Sequence, residues 1–293
     1  MCRLLGYCSV SPASLTRLMG EQELRDFAAL SALHGDGWGM GWYHGDQPAA
    51  RKSVGRADQE PEFGALARRP LSDLGLVHLR WATPGLPVAD ANTHPFRYGP
   101  WLLAHNGAIH PQERLGELLP GTWEQRLGGT TDSERYFLHL MWRLAQRDGD
   151  MVAAIGDTTT DIEARFGPNS LNAILLGPEA LYAISWHDPA KVPGEQLRTR
   201  GYGDRPGEIE TYFDLAFRAT AEAVIVASSG WPMPGWTPLP PGHVLVTERA
   251  TLRTTILPLP PHPAVAPQPA FSPQPDSAGR SLRPAVRPSA SVG

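Results

Sequence analysis

A cysteine at position 2 lies directly behind the initiator methionine, so removal of Met1 leaves a thiol and a free α-amino group on one residue. An N-terminal amine has an ordinary pKa of about 7.7–8.0, so near neutrality part of it is unprotonated and able to accept a proton. One residue, Cys2, can then supply nucleophile and base together, without a histidine positioned by the fold. The same residue also suits a buried first strand, where a free thiol packs as a small apolar group.

Four further segments set polar residues beside glycine at the ends of apparent strands. In Asp36-Gly37-Trp38-Gly39-Met40-Gly41-Trp42 no frame has the G-x-G-x-x-G spacing of a phosphate loop. Glycines within a strand mark the close approach of another segment, and these are read as structural. In His78-Leu79-Arg80-Trp81-Ala82-Thr83-Pro84-Gly85 a strand ends in a guanidinium. Such a group can clamp a carboxylate through two charge-assisted hydrogen bonds, or form an ordinary surface salt bridge.

The third segment is His105-Asn106-Gly107. The Asn106 amide and the Gly107 N–H can converge on one oxygen, as an oxyanion hole requires, although Asn-Gly is also a common turn. In Gly128-Gly129-Thr130-Thr131-Asp132-Ser133-Glu134, Thr131 and Glu134 have capping-box spacing, and Asp132 complements a helix dipole. A carboxylate there can also receive a substrate ammonium. His94 and His105 are the two histidines read as adjacent to these segments. No G-x-S-x-G elbow, H-E-x-x-H pair or zinc-spaced Cys/His cluster occurs, so neither metal nor cofactor is expected.

The order Met-Cys-Arg, Asp-Gly-Trp-Gly, Arg-Trp-Ala-Thr, His-Asn-Gly, Thr-Asp-Ser-Glu resembles the class II glutamine amidotransferases, from Cys2 to about Glu134. It continues more diffusely to Thr247, with Trp231, Trp236 and the run ending at Gly242 similar to the closing part of standalone members. The resemblance implies a four-layer αββα N-terminal-nucleophile sandwich with mainly antiparallel sheets, hence an α+β fold. It implies that Cys2 attacks a γ-glutamyl amide to give a thioester that water releases as glutamate. Asn106 and Gly107 would hold the oxyanion, Arg80 the substrate α-carboxylate and Asp132 its α-ammonium, with Trp81 and Thr83 shaping the pocket. Pro84 departs from the histidine usual in synthase-linked members. The Asn92-Thr93-His94-Pro95-Phe96 segment is closer to the standalone branch, which includes a γ-glutamyl hydrolase of ergothioneine biosynthesis. The expected partner is therefore a small γ-glutamyl molecule, with a separate synthase that receives ammonia as the alternative. A non-catalytic binding or docking protein of the same fold is the reading from another class.

The elements that must position these residues follow from apolar patterning. Strand-like runs cover residues 3–8, 37–43, 75–79, 101–104, 172–176, 181–186, 223–227 and 243–247. Helical periodicity covers 14–33, 62–68, 133–147 and 150–166. Several strands are separated by turns rather than helices, which favours antiparallel sheet with packed helices over a doubly wound parallel fold.

The 293 residues, 41% hydrophobic, suffice for a large core, and a net charge of −4 gives no reason to expect nucleic acid or an anionic membrane as partner. No apolar run reaches the roughly 18 residues of a membrane span, and no secretion signal precedes Cys2. The only cysteines, Cys2 and Cys8, would lie roughly 20 Å apart on an extended strand, too far for a disulfide. Two free thiols fit a cytoplasmic location. One catalytic domain is expected over 1–257. A disordered proline-rich tail is expected over 258–293, with Pro258-Leu259-Pro260-Pro261 as its candidate ligand for a proline-binding module.

Overall fold

The computed structural model describes residues 2–204 and 206–260. Alternation along the first strand, β1 (Arg3–Ala13), sets the architecture. Its side chains point to opposite faces in turn, so Leu5 and Tyr7 pack toward helices while Leu4 and Cys8 pack toward a second sheet. Both faces are buried, and the strand therefore reads as a continuous apolar run.

The first sheet has the order β11 (Thr237–Leu239), β9 (Leu215–Ala219), β10 (Ala223–Ser228), β1, β4 (Ser72–Leu79), β2 (Trp38–His44), β3 (Gln47–Ser53). The second has the order β13 (Thr254–Pro258), β12 (His243–Glu248), β8 (Ala180–Ser185), β7 (Asn172–Leu176), β6 (Trp101–Asn106), β5 (Phe96–Tyr98). Neighbouring strands in both sheets pair antiparallel. Helices α1 (Leu15–Met19), α2 (Glu21–Ala29) and α3 (Pro61–Ala67) cover the outer face of the first sheet. Helices α4 (Asp132–Gln146) and α5 (Met151–Phe166) cover the second.

Three apolar layers hold these four together. Phe27, Phe63, Trp38 and Val77 lie between helices and first sheet; Leu4, Leu76, Leu102 and Ile174 lie between the sheets; Phe137, Leu140, Leu103 and Leu175 lie under α4 and α5. Full burial of each such side chain contributes about 1.5–3 kcal/mol. Gly6 lets the sheets meet closely, because a Cβ there would stand 2.7 Å from Ile174 Cγ2. The fold is the expected α+β four-layer sandwich.

Some elements differ from the sequence expectation. The helix expected over 14–33 is two, because Gly20 adopts φ 87° and serves as C-cap of α1 and N-cap of α2. Strands β3, β5, β9, β11 and β13 were not anticipated, being short or polar sheet-edge and near-edge strands. Pro258 closes β13 and Leu259 is buried against the α5 layer, its N–H donating to Gly242 O at 2.8 Å. The middle of the Pro258–Pro261 segment is thus packed on the body, and 261–293 of the expected tail lie outside the described residues. Among the described residues no helix is long and apolar enough to cross a membrane.

Candidate active site

Strand ends from both sheets and one helix start converge on a small, narrow cleft. Cys2 enters from the head of β1, Arg80 to Thr83 from the end of β4, Gly107 from the end of β6, and Asp132 from the first turn of α4. Asn106, the last residue of β6, lies against Cys2. Six of the seven residues expected from the sequence therefore line one cavity, and the seventh, Asn106, contacts Cys2 beside it.

The Cys2 backbone nitrogen donates to Asn106 Oδ1 at 2.6 Å, and Cys2 Sγ lies 3.7 Å from Trp81 O. Asn106 is fully buried, and its Nδ2 has no hydrogen-bond partner among the described residues. Leaving a buried donor unused is costly. Gly107 is glycine for lack of room: a Cβ would stand 1.9 Å from Ser170 O. Cys8, by contrast, is sealed between the sheets, where burial, reinforced by Asp73, pushes its thiol up to about 12.

Arg80 is almost fully buried and donates to two carbonyls, Asp36 O at 3.3 Å and Pro87 O at 3.1 Å. No carboxylate among the described residues pairs with it, which leaves its charge available to a ligand. Asp132 Oδ2 accepts from Ile109 N at 2.9 Å, holding the carboxylate at the helix start. Thr131 caps α4 by accepting from Glu134 N at 3.1 Å. The capping box is half formed, because the Glu134 carboxylate accepts instead from Gly128 N and Gly129 N at 2.9 and 2.7 Å. That fixes the glycine loop entering the helix.

His94 and His105 both line the cleft. His105 Nε2 faces Ser170 O at 3.1 Å, an acceptor only, so Nε2 carries the proton and Nδ1 accepts from Ser133 Oγ at 2.9 Å. Burial lowers the His105 pKa to about 4 despite the nearby Asp132. His78 and His94, in ring contact at 4.1 Å, are pushed well below the usual histidine range by burial. All three rings are neutral near pH 7. Among the described residues, no group of three or more His, Cys, Asp or Glu is arranged to hold a metal.

Other residues of the segments already singled out support the site through contacts that the sequence did not specify. Asp36 Oδ2 accepts from Ala82 N at 2.9 Å and pairs with Arg200 at 3.3 Å, which ties down the segment after Trp81. Asn92 bridges Pro87 O and Thr130, joining the 82–90 loop to the approach of α4. Gly39 serves this wall, since a Cβ there would stand 1.9 Å from His94 O. The glycines of 37–41 act structurally through such close approaches.

A thiol at the head of the first strand, beside a buried amide, in an αββα sandwich is the arrangement of an N-terminal-nucleophile fold. The family model of class-II glutamine amidotransferases matches residues 1–268, and the chain belongs to that family. A γ-glutamyl-hercynylcysteine sulfoxide hydrolase of Mycolicibacterium smegmatis is 29% identical over 223 residues, 71% of this chain and 90% of the relative. The protein of that name from Mycobacterium tuberculosis is 27% identical over 220 residues, 71% and 88% of the two chains. The fold is similar to a solved glutamine aminotransferase class-II domain protein of Silicibacter pomeroyi. The TM-score is 0.58 at 19% identity, covering 89% of this chain and 100% of that one.

Proposed function

We propose that the protein hydrolyses the amide of a small γ-glutamyl substrate, glutamine or a γ-glutamyl conjugate, through a thioester on a mature N-terminal Cys2. The Cys2 α-amine takes the thiol proton as sulfur attacks the γ-carbonyl carbon, and the C–S bond forms. Asn106 Nδ2 and the Gly107 N–H receive the oxyanion, a task worth about 10²–10³ in rate per donor. The C–N bond then breaks, and the amine returns the proton to the leaving nitrogen. Water, deprotonated by the same amine, cleaves the thioester and releases glutamate and free thiol. Arg80 binds the α-carboxylate and Asp132 the α-ammonium, while Trp81 and Thr83 wall the pocket.

The observation that carries this reading is the 2.6 Å contact from Cys2 N to Asn106 Oδ1, with Asn106 Nδ2 left as a buried, unused donor. One asparagine then orients the base and offers an oxyanion donor. The relatives named as γ-glutamyl hydrolases, which this chain covers nearly whole, support a conjugate over free glutamine.

The test is glutamate release from glutamine and from γ-glutamyl-p-nitroanilide by the wild type and Cys2→Ala, with intact mass to establish loss of Met1. Activity confined to the processed wild type is expected. Undiminished turnover by Cys2→Ala, or by protein that keeps Met1, overturns the proposal.

A further inference from the structure

Arg3 follows Cys2 and, among the described residues, is the arginine with no measurable exposure. Its Nη1 donates to Tyr212 O at 2.9 Å and its Nη2 to Tyr202 Oη at 3.0 Å. The guanidinium carbon lies 4.1 Å from the Tyr212 ring centroid and 5.3 Å from that of Tyr202. The Tyr202 hydroxyl also contacts buried His34 Nε2 at 2.5 Å. Gly230, at φ 106°, makes room for the group, since a Cβ there would stand 2.9 Å from Nη2.

This cage satisfies the guanidinium poorly. Its Nε has no hydrogen-bond partner, and no carboxylate lies within ion-pair distance, among the described residues. Sealing a charge with neutral partners alone is expensive, and an apolar side chain would serve packing better. Such departures from local rules concentrate at functional positions. Two facts tie the cage to the reaction. Arg3 is one residue along the strand from Cys2, and the cage tyrosines cluster with Trp81, whose carbonyl faces Cys2 Sγ.

We propose that Arg3 is a positioning residue for chemistry at Cys2: its caged, carboxylate-free charge keeps the neighbouring α-amine in its neutral, proton-accepting form. The inference rests on the proposed role of Cys2. Other groups facing the amine or the cage are Arg80, Asp36, Asp132, Arg200, His34 and the tyrosines, together with neutral His78, His94 and His105, and no carboxylate among them pairs directly with Arg3. At an effective dielectric constant of about 20, a unit charge acting across about 10 Å would move an amine's protonation by about one pH unit, which sets the scale of the effect tested. Removing a positive charge favours the protonated amine, so the acid limb of the rate profile must move to higher pH.

The experiment compares full-length wild type, Arg3→Gln and Arg3→Lys, following glutamate release from γ-glutamyl-p-nitroanilide from about pH 5.5 to 9.5, with thermal melting to verify folding. Gln keeps a donor for Tyr212 O and loses the charge; Lys keeps the charge. Expected for Arg3→Gln is an acid limb displaced upward by about one unit, and kcat at pH 7 down about four- to fivefold with KM within threefold. Arg3→Lys restores the limb to within about 0.3 unit. A folded Gln variant whose limb stays in place overturns the proposal. Should the Gln variant not fold, the Lys variant decides: a limb at the wild-type position supports the charge, and one displaced by a unit overturns it. Cys2-dependent turnover with an immobile limb removes only the role of Arg3, whereas wild-type turnover indifferent to Cys2→Ala removes the underlying reading.

Discussion

In the proposed mechanism Asn106 carries two jobs that substitution can test. In Asn106→Ala the Cys2 nitrogen loses its 2.6 Å acceptor and the cleft loses the amide donor. Leaving a buried N–H without a partner costs about 1–3 kcal/mol of stability. Loss of one oxyanion donor costs about 2.7–4 kcal/mol of transition-state stabilisation, or 10²–10³ in kcat. Asn106→Asp keeps an acceptor for Cys2 but sets a second acceptor where the donor was, facing the developing negative charge. Both variants are therefore expected to lose at least 100-fold in kcat, with little change in KM because the donor acts mainly in the transition state. Steady-state release of p-nitroaniline at saturating substrate measures this directly. An Asp variant within tenfold of the wild-type kcat would refute the reasoning, since it would mean that no donor at this position is needed.

Acid should unfold the protein early. Burial depresses the folded-state pKa of His105 to about 4, well below its ordinary 6.5, so its contribution is complete above about pH 6.5 and is lost as pH falls toward 4. By pH 4.5 that amounts to about 2–3 kcal/mol, with His78 and His94 adding in the same direction; an unchanged urea midpoint between pH 7.5 and 4.5 would count against it. Gly39→Ala forces a Cβ against His94 O and should lower the melting temperature by about 5–10 °C, as a thermal scan would register. Arg80→Lys and Asp132→Asn should raise KM for a γ-glutamyl substrate by about 10–100-fold with smaller changes in kcat. Unchanged KM in both would disconnect them from the substrate head group.

What the sequence made legible was local. Cys2, Arg80, Asn106, Gly107 and Asp132 stand at a strand start, two strand ends and a helix start, where apolar runs break into polar residues and glycine. The Thr131 cap could be read from its spacing to Glu134, although the return bond goes to the glycine loop instead. The supports were not legible, because their partners are remote. Asp36 pairs with Arg200 across 164 residues, and Arg3 reaches Tyr212 across 209. Edge strand β3 (Gln47–Ser53), with Pro48, Arg51 and Lys52, owes its conformation to pairing with β2 rather than to its own pattern.

Cys2 heads a strand of one sheet and Asn106 ends a strand of the other, so the distance between them is a measure of how thick the packed layer between the sheets is. That layer is thinned at Gly6, where the backbone meets Ile174 without an intervening side chain. Interior residues of this layer therefore help to set how the two strand ends meet at the Cys2–Asn106 contact. Methyl groups added or removed there, in contact with neither substrate nor nucleophile, would retune turnover by tenths of an ångström, and selection could adjust rate through the core while every residue of the cleft stays the same.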